Sequence, residues 1–230
     1  MPYQKELIRY LQNNNILALQ LEKALKGVGE MVLDKAKTAV IGLKRASNYT
    51  ACLTTSYQDI CRQQGEEDVR FAKAVWYLIK NADFIEQMLL IYFKQLIKYK
   101  TYEQIAVIKK GLMAVNVYVA TSSLTSAGFA FGVANAIVLG TKLSVDVSIM
   151  ISARAAIGLA GLELYGTVQK AADSAMRLKL SSPDYYNALY LLELEMLYFI
   201  IEPLFISANA FSITSPSEQD VINIITKMAR

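Results

Sequence analysis

The chain has 230 residues and no histidine, the residue that most often serves as a general acid/base and as a metal ligand. Hydrolytic triads, zinc sites that rely on histidine and cysteine–histidine nucleophile pairs are therefore excluded. The two cysteines, Cys52 and Cys61, do not form a CxxC pair, which argues against a zinc or iron–sulfur site. No GxGxxG or GxxxxGK[ST] sequence occurs, so phosphate-binding glycine loops are also absent.

Three glutamates near the C-terminus form the remaining candidate for chemistry. Glu193 and Glu195 point to different faces of a predicted helix, whereas Glu195 and Glu202 are seven residues apart and share one. No ExxH sequence accompanies them, so a di-iron bundle is not supported. We interpret these carboxylates as solvated or capped, and we predict a protein that is not an enzyme and uses no cofactor or metal.

The cysteine spacing and the N-terminus bear on where the protein is made. On one helix, residues 52 and 61 lie about 13 Å apart, which is too far for a disulfide. This favours synthesis in a reducing cytosol. The segment MPYQKELIRYLQ is charged and amphipathic, without the apolar core or cleavage site of a signal peptide. We therefore expect a protein made in the cytoplasm without Sec export.

Composition and charge narrow the class of partner. Hydrophobic residues make up 54% of the chain and charged residues 19%, below the usual share of about 25%. Residues 1–110 hold 17 Lys+Arg against 11 Asp+Glu, and residues 111–230 hold 7 against 9. A basic half attracts anionic lipid or nucleic acid, although an ordinary solvated surface gives the same balance. Because no arginine- or lysine-rich run or RNA-binding motif is present, nucleic acid is discounted.

Apolar residues recur at helical spacing along the chain, and no convincing strand alternation occurs. The sequence predicts an all-α fold, a multi-helix bundle with a central glycine- and alanine-rich hydrophobic hairpin. We read residues 1–230 as one helical domain. Its parts are basic amphipathic helices over 1–110, the hairpin over 111–166 and C-terminal helices over 167–230. A short helix is expected to end at Gly65, and the apolar helix 84–99 is expected to lie in the core.

Capping patterns place several helix starts, because a short polar side chain there satisfies free backbone N–H groups. Pro183 and Pro216 fit the first helical position, where the missing N–H has no consequence. Pro203 interrupts an apolar run and should kink or end its helix. The predicted capping pairs are Asp83 with Glu86, Thr101 with Gln104, and Ser215 with Glu218.

The hairpin is defined by an uncharged run and a stripe of small residues. No charged residue occurs from Gly111 to Thr141, which is longer than the roughly 20 residues needed to cross a bilayer. Serines and threonines within 121–126 favour a break that leaves 127–141, too short to cross comfortably by itself. Small residues four apart let another backbone approach closely. The predicted packing positions are Gly128, Gly132, Ala136 and Gly140, with Gly158 and Gly161 in the following segment.

That following segment carries two charges, Asp146 and Arg154. Each costs a few kcal/mol at the bilayer centre, so they are expected to line water in a pore or to form an internal salt bridge. Lysines outside the hairpin are candidates for docking on anionic lipid, worth about 1 kcal/mol each at the surface. These docking candidates are Lys94, Lys98, Lys100, Lys109 and Lys110.

An uncharged glycine- and alanine-rich hairpin among amphipathic helices resembles the plan of pore-forming bacterial toxins such as the colicin pore-forming domains. The lack of a signal peptide and of histidine also resembles membrane-permeabilising effectors of type VI secretion systems. The resemblance covers roughly residues 105–166 and is one of pattern. It implies an antibacterial toxin that is loaded on a secretion tube, inserts into the inner membrane of a target cell and causes ion leakage. The implied partners are membrane lipid, the tube protein, a cognate immunity protein and, in the membrane, further copies of the chain.

Two other classes remain open from the sequence. A soluble helical adaptor, chaperone or immunity factor would use the glycine stripe for core packing alone. A constitutive membrane protein would need detergent to be soluble. Three features argue against this class: the polar, capped first 110 residues, the interrupted apolar segments and Pro203.

Overall fold

The fold is described by a computed structural model for residues 42, 45, 58–81, 83–119, 125–141 and 162–229. Helices packed against one another make up these ranges and no strand occurs in them, so the all-α prediction is confirmed. A 3₁₀ turn lies at Glu195–Leu197. The helices are α1 (Gln58–Lys80), α2 (Phe84–Leu96), α3 (Tyr102–Ala114), α4 (Ser126–Gly140), α5 (Leu162–Ser181), α6 (Pro183–Leu191), α7 (Tyr198–Ala208) and α8 (Glu218–Met228).

The predicted cap of α3 is confirmed. The Thr101 hydroxyl accepts a hydrogen bond from the Gln104 N–H at 3.3 Å, and the Gln104 side chain accepts one from the Thr101 N–H at 2.9 Å. Helix α6 likewise begins with Pro183 after Ser182. The capping pair predicted at Asp83 and Glu86 is wrong, because Asp83 has φ −95° and ψ 10° and its side chain accepts no hydrogen bond from a backbone N–H of the helix. Its carboxylate instead accepts a hydrogen bond from the Gln87 side chain.

Three further expectations are corrected. Helix α8 is capped by Ser217 with Asp220, two residues after the predicted pair, and Pro216 precedes the cap. Of the two outcomes expected at Pro203, the end of the helix is wrong, since α7 continues to Ala208 with the proline exposed, and a kink stays a prediction. Helix α1 runs through Gly65, where a β-carbon would meet nothing within 4 Å.

The chain divides into two compact units. The first comprises residues 1–81, 146–176 and 195–199, and within it α1 packs against the 3₁₀ turn. Cys61 on α1 is disulfide-bonded, so the expectation of unpaired cysteines is wrong at this residue. The distance argument assumed one helix through both cysteines, and Cys52 lies outside the described residues.

The second unit comprises residues 82–145, 177–194 and 200–230. Helix α2 lies in its core as expected, packing against α4 and α6, while α8 packs against α3.

Two buried tyrosines join distant segments, because each hydroxyl donates to a backbone carbonyl: Tyr92 to Ala210 at 2.8 Å and Tyr185 to Met88 at 2.9 Å. Burial raises the pKa of the Tyr92 phenol. Both rings contact Phe205.

Three helices of this unit end in the same backbone motif. A residue one or two positions past each helix has a positive φ, and the N–H of the residue after it donates to a carbonyl five residues earlier. This Schellman arrangement satisfies carbonyls that would otherwise be orphaned. The left-handed residues are Asn116 after α3 (φ 63°), Glu193 after α6 (φ 59°) and Asn209 after α7 (φ 51°).

Candidate functional site

Helix α4 is the candidate functional element because, among the described helices, it alone has no charged residue. Thr125 begins it in an extended conformation, φ −64° and ψ 147°, and accepts a hydrogen bond from the Gly128 N–H at 3.2 Å. At the other end, the Thr141 hydroxyl donates to the Ile137 carbonyl at 2.7 Å. Neutral side chains therefore cap both ends. The predicted break in the uncharged run is confirmed, and it leaves a helix of 15 residues.

One face of α4 is part of the protein core. Phe129, Val133 and Ile137 are fully buried, and the helix packs chiefly against α2, with further contacts to α3 and α8. The side chains on this face carry no polar atoms, so α4 is held by apolar burial, at roughly 25 cal/mol per Å² of area removed from water. Separating α4 from α2 therefore breaks no ion pair.

The stripe of small residues lies at the border of this buried face. Gly132 is buried, Gly128 and Ala136 are half-buried, and Gly140 is exposed. A β-carbon at position 140 would lie 3.3 Å from the Ala229 carbonyl oxygen, so the end of α4 approaches the α8 backbone closely. The role of the stripe in packing membrane helices stays a prediction.

The opposite face of α4 presents apolar side chains to solvent. Phe131 is 49% exposed and Leu139 is 69% exposed, and Ala127 lies on the same side. These three positions fall within about 120° of arc at 100° per residue. The half-buried Asn135 is the polar residue between them. Helix α4 thus has an uncharged face against the core and an uncharged face against water.

Helix α4 is short for a membrane span. Fifteen residues give about 22 Å, whereas the hydrocarbon core of a bilayer is about 30 Å thick. Across the ranges that the structure describes, no helix has both the length and the apolar character required to cross a membrane.

The five lysines proposed for lipid docking differ in their surroundings. Lys94, Lys98 and Lys110 are exposed, and Lys109 is half-buried. The Lys100 ammonium is directed inward instead, donating to the Pro216 carbonyl at 2.7 Å and lying 3.6 Å from the Glu218 carboxylate. Lys100 therefore ties the start of α3 to the start of α8, a role that its sequence neighbours do not reveal.

Four of the predicted site residues belong to the second arm of the hairpin. The pore-lining candidates Asp146 and Arg154, and the packing candidates Gly158 and Gly161, all lie outside the described residues. Their roles stay predictions.

Two of the three C-terminal carboxylates, those of Glu195 and Glu202, form ion pairs, contrary to the expectation that they are solvated or capped. Glu195 is buried in the first unit and forms a two-pronged ion pair with Arg70 of α1. Glu202 is buried in the second unit and accepts hydrogen bonds from Arg177 at 2.7 and 2.6 Å. Glu193 lies in a turn, Glu195 in the 3₁₀ turn and Glu202 in α7, so these glutamates do not share one helix as the sequence suggested. Arginine partners so distant along the chain leave no local sequence signal.

Another charge cluster in the first unit surrounds Arg45, whose side chain is fully buried. Its guanidinium donates to Asp68 at 2.7 Å, to Glu67 at 2.9 Å and to the Gln169 side chain at 2.8 Å. Burial lowers the pKa of Arg45, but the two carboxylates together outweigh this effect, so the pKa is raised. The cluster joins helices of one unit, and the described residues contain no group of histidine, cysteine or acidic side chains suited to a metal ion.

No family model, curated protein or solved structure matches this chain. The assignment of a function therefore depends on the chemistry of α4 and its surroundings.

Proposed function

We propose that this protein is a non-enzymatic toxin that permeabilises a target membrane. In this proposal α4 and about five uncharged residues directly before it enter the bilayer and form an ion-conducting pore, which depolarises the cell. The observation that carries the proposal is an uncharged helix with Phe131 and Leu139 exposed to water. Transfer of such side chains from water to lipid is favourable, as it is for apolar surface that enters any apolar environment.

The energetics of release support this role. Helix α4 contributes no charged group to the fold, so leaving α2 exchanges one apolar environment for another. Small residues at Gly128, Gly132 and Gly140 would then allow inserted helices to pack closely, since lipid provides no hydrophobic force between them.

The length of α4 determines which residues must join it in the membrane. A span of about 30 Å needs about 20 helical residues, five more than α4 has. Lys142 lies two residues past the end of α4, whereas the sequence from Gly111 to Thr125 has no charged residue. The inserted helix therefore extends towards the N-terminus. Membrane lipid is the partner in this step, and the tube and immunity proteins implied by the toxin resemblance belong to the same proposal.

A reversible cross-link between α4 and α8 tests the proposal. In a Cys52→Ser, Cys61→Ser background, Gly140→Cys and Ala229→Cys place two thiols where α4 meets the α8 backbone. A short reducible bismaleimide joins them, and potassium release from anionic liposomes is measured before and after reduction. The matched control links α3 to α8 through Gly111→Cys and Ile222→Cys, which also lie side by side.

The expected result is leakage that is lost in the 140–229 cross-linked protein, returns on reduction and persists in the 111–222 cross-linked control. Undiminished leakage with α4 fixed to α8 would overturn the insertion of α4. A wild-type protein that leaves liposomes intact at every pH would favour the second candidate, a soluble helical interaction protein. The observation behind that candidate is that both ends of α4 are capped and its buried face is fully packed.

A further inference from the structure

The connection between α2 and α3 presents two tyrosines and two lysines to solvent. Tyr99 is 85% exposed and Tyr102 is 62% exposed. The Lys98 ammonium lies 5.1 Å from the centre of the Tyr99 ring, and Lys94 is exposed one turn earlier on α2. We call these four residues, Lys94, Lys98, Tyr99 and Tyr102, the tyrosine–lysine tip.

The backbone beneath the tip is well anchored. Ile97 is fully buried, and its carbonyl accepts a hydrogen bond from the Lys100 N–H at 3.0 Å. The Lys100 side chain then reaches the Pro216 carbonyl, and the reciprocal cap of Thr101 and Gln104 starts α3. The tyrosines are therefore exposed on a fixed connection, so a partner that binds them need not order it.

The charges of the tip favour an anionic partner. In the ranges that the structure describes, no carboxylate lies within ion-pair distance of Lys94 or Lys98, while Glu218 lies beside Lys100. The nearest acid to Lys98 in sequence, Glu103, is engaged at the start of α3, where its own backbone N–H and the Thr101 hydroxyl lower the pKa of its carboxyl. Two lysine charges thus remain available to a ligand.

Resting on the proposed function, we infer that the tyrosine–lysine tip docks on the headgroup layer of an anionic phospholipid membrane. Tyrosine rings have an apolar body and a polar end, which suits them to the boundary between headgroups and acyl chains. Lysines beside them are attracted by the negative surface potential. A binding surface for protein would also use tyrosine, but the uncompensated lysines favour an anionic surface, and the test below separates the two.

Co-sedimentation with phosphatidylglycerol vesicles and with neutral phosphatidylcholine vesicles separates the contribution of the lysine charges to binding from that of the tyrosine rings. Lys94→Gln with Lys98→Gln should weaken binding to anionic vesicles about 30-fold at low salt, and the loss should shrink at high salt. Tyr99→Ala with Tyr102→Ala should weaken binding several-fold at both salt concentrations, because ring insertion is not screened. Tyr118→Ala is the matched control, since Tyr118 is 68% exposed beyond the other end of α3.

The thermal midpoints of all variants should match the wild type, because the replaced side chains are exposed. Wild-type binding by the Tyr99→Ala, Tyr102→Ala protein, or an equal loss in Tyr118→Ala, would overturn the tip as the lipid contact. Absence of wild-type binding to anionic vesicles would also overturn the tip as the lipid contact, and would leave a protein partner as the explanation of the exposed rings.

Failure of the tip is distinguishable from failure of the pore. A His-tagged protein held on nickel-chelating lipid no longer depends on the tip to reach the surface. Wild-type leakage by tethered Tyr99→Ala, Tyr102→Ala protein, with several-fold slower leakage by the untethered variant, supports both inferences. Vesicle binding without leakage by the wild type supports the tip and counts against the pore.

Discussion

Gly111 of α3 faces Ile222 of α8 so closely that a β-carbon at position 111 would lie 2.3 Å from the Ile222 Cδ1 atom. The glycine is in the last turn of α3, where it weakens the helix but lets α8 approach. The close approach is repeated at the end of α4, where Gly140 lies beside Ala229. Small residues here bring helices together within one folded unit.

We expect Gly111→Ala to destabilise the second unit by about 1 kcal/mol. The alanine gains up to about 1 kcal/mol in helix propensity, but its methyl group overpacks against Ile222, at a cost of about 1–3 kcal/mol. Ile222→Val removes the clashing Cδ1 atom, so Gly111→Ala should become neutral or stabilising in that background. Urea denaturation of the four proteins gives the coupling. Equal effects of Gly111→Ala in both backgrounds would mean that Ile222 does not set the cost.

Glu193→Gly should stabilise the protein by about 1 kcal/mol. Glu193 holds a left-handed conformation that is strained for a residue with a β-carbon and natural for glycine. Asn116→Gly and Asn209→Gly, at the equivalent positions after α3 and α7, should stabilise less, because asparagine adopts this conformation more readily. Chemical denaturation midpoints rank the three variants. A destabilised Glu193→Gly protein would show that the glutamate side chain contributes more than its backbone strain removes.

The stability of the second unit should fall in alkaline solution through Tyr92. Burial raises the pKa of this phenol, so the folded protein holds the proton more tightly than the unfolded chain. Its contribution is fully present below the ordinary pKa of 10.0 and is lost as the pH rises above that value. Tyr92→Phe should cost about 1 kcal/mol at neutral pH through the bond to Ala210 and should flatten the alkaline decline. Denaturation at pH 7 to 11 checks this, with Tyr118→Phe as the control; an unchanged slope in Tyr92→Phe would exclude Tyr92 as its origin.

The two arginine–glutamate pairs should respond differently to loss of the arginine. Glu195 is buried with a largely buried Arg70, so Arg70→Met should cost about 3–5 kcal/mol by leaving an unpaired buried charge. Arg177 is mostly exposed, so Arg177→Met should cost about 1 kcal/mol or less. Adding Glu195→Met to Arg70→Met should recover much of the loss. Calorimetric unfolding compares the variants, and no recovery in the double variant would argue against an ion-pair origin.

Features set by neighbouring residues could be predicted from the sequence. The Thr101–Gln104 cap and the break before α4 follow from side chains that bond the backbone within one turn. The start of α8 was misplaced because its sequence, SPSEQD, offers two serines with an acid three residues later. The local pattern suited both, and Ser217 is the one that caps.

Features set by distant residues could not be predicted. A glycine such as Gly65 signals a helix end by propensity alone, but α1 continues through it because tertiary packing outweighs a cost of about 1 kcal/mol. Arg70 and Glu195 are 125 positions apart, and no spacing rule connects them. The inward direction of Lys100 depends on Pro216 and Glu218 at the start of α8, although the exposed Tyr99 lies beside it in the short sequence KYKTY.

Ser126→Pro should separate the soluble form of α4 from its inserted form. Ser126 is the first residue of α4, where an N–H has no partner within the helix and proline is well tolerated. Thr125 before it is already extended, the conformation that proline requires of its predecessor. The folded protein should therefore keep its stability. A membrane helix that extends through Thr125 towards the N-terminus would instead place this proline in its interior, at a cost of about 3 kcal/mol.

That cost corresponds to about a hundredfold loss of the inserted form. We expect Ser126→Pro to match the wild type in denaturation midpoint and vesicle binding but to release potassium far more slowly. Ser126→Ala controls for the hydroxyl and should leak normally, because alanine continues a helix well. Full leakage by a stably folded Ser126→Pro protein would mean that α4 inserts without growing past Thr125, and the span would then have to come from other residues of the chain.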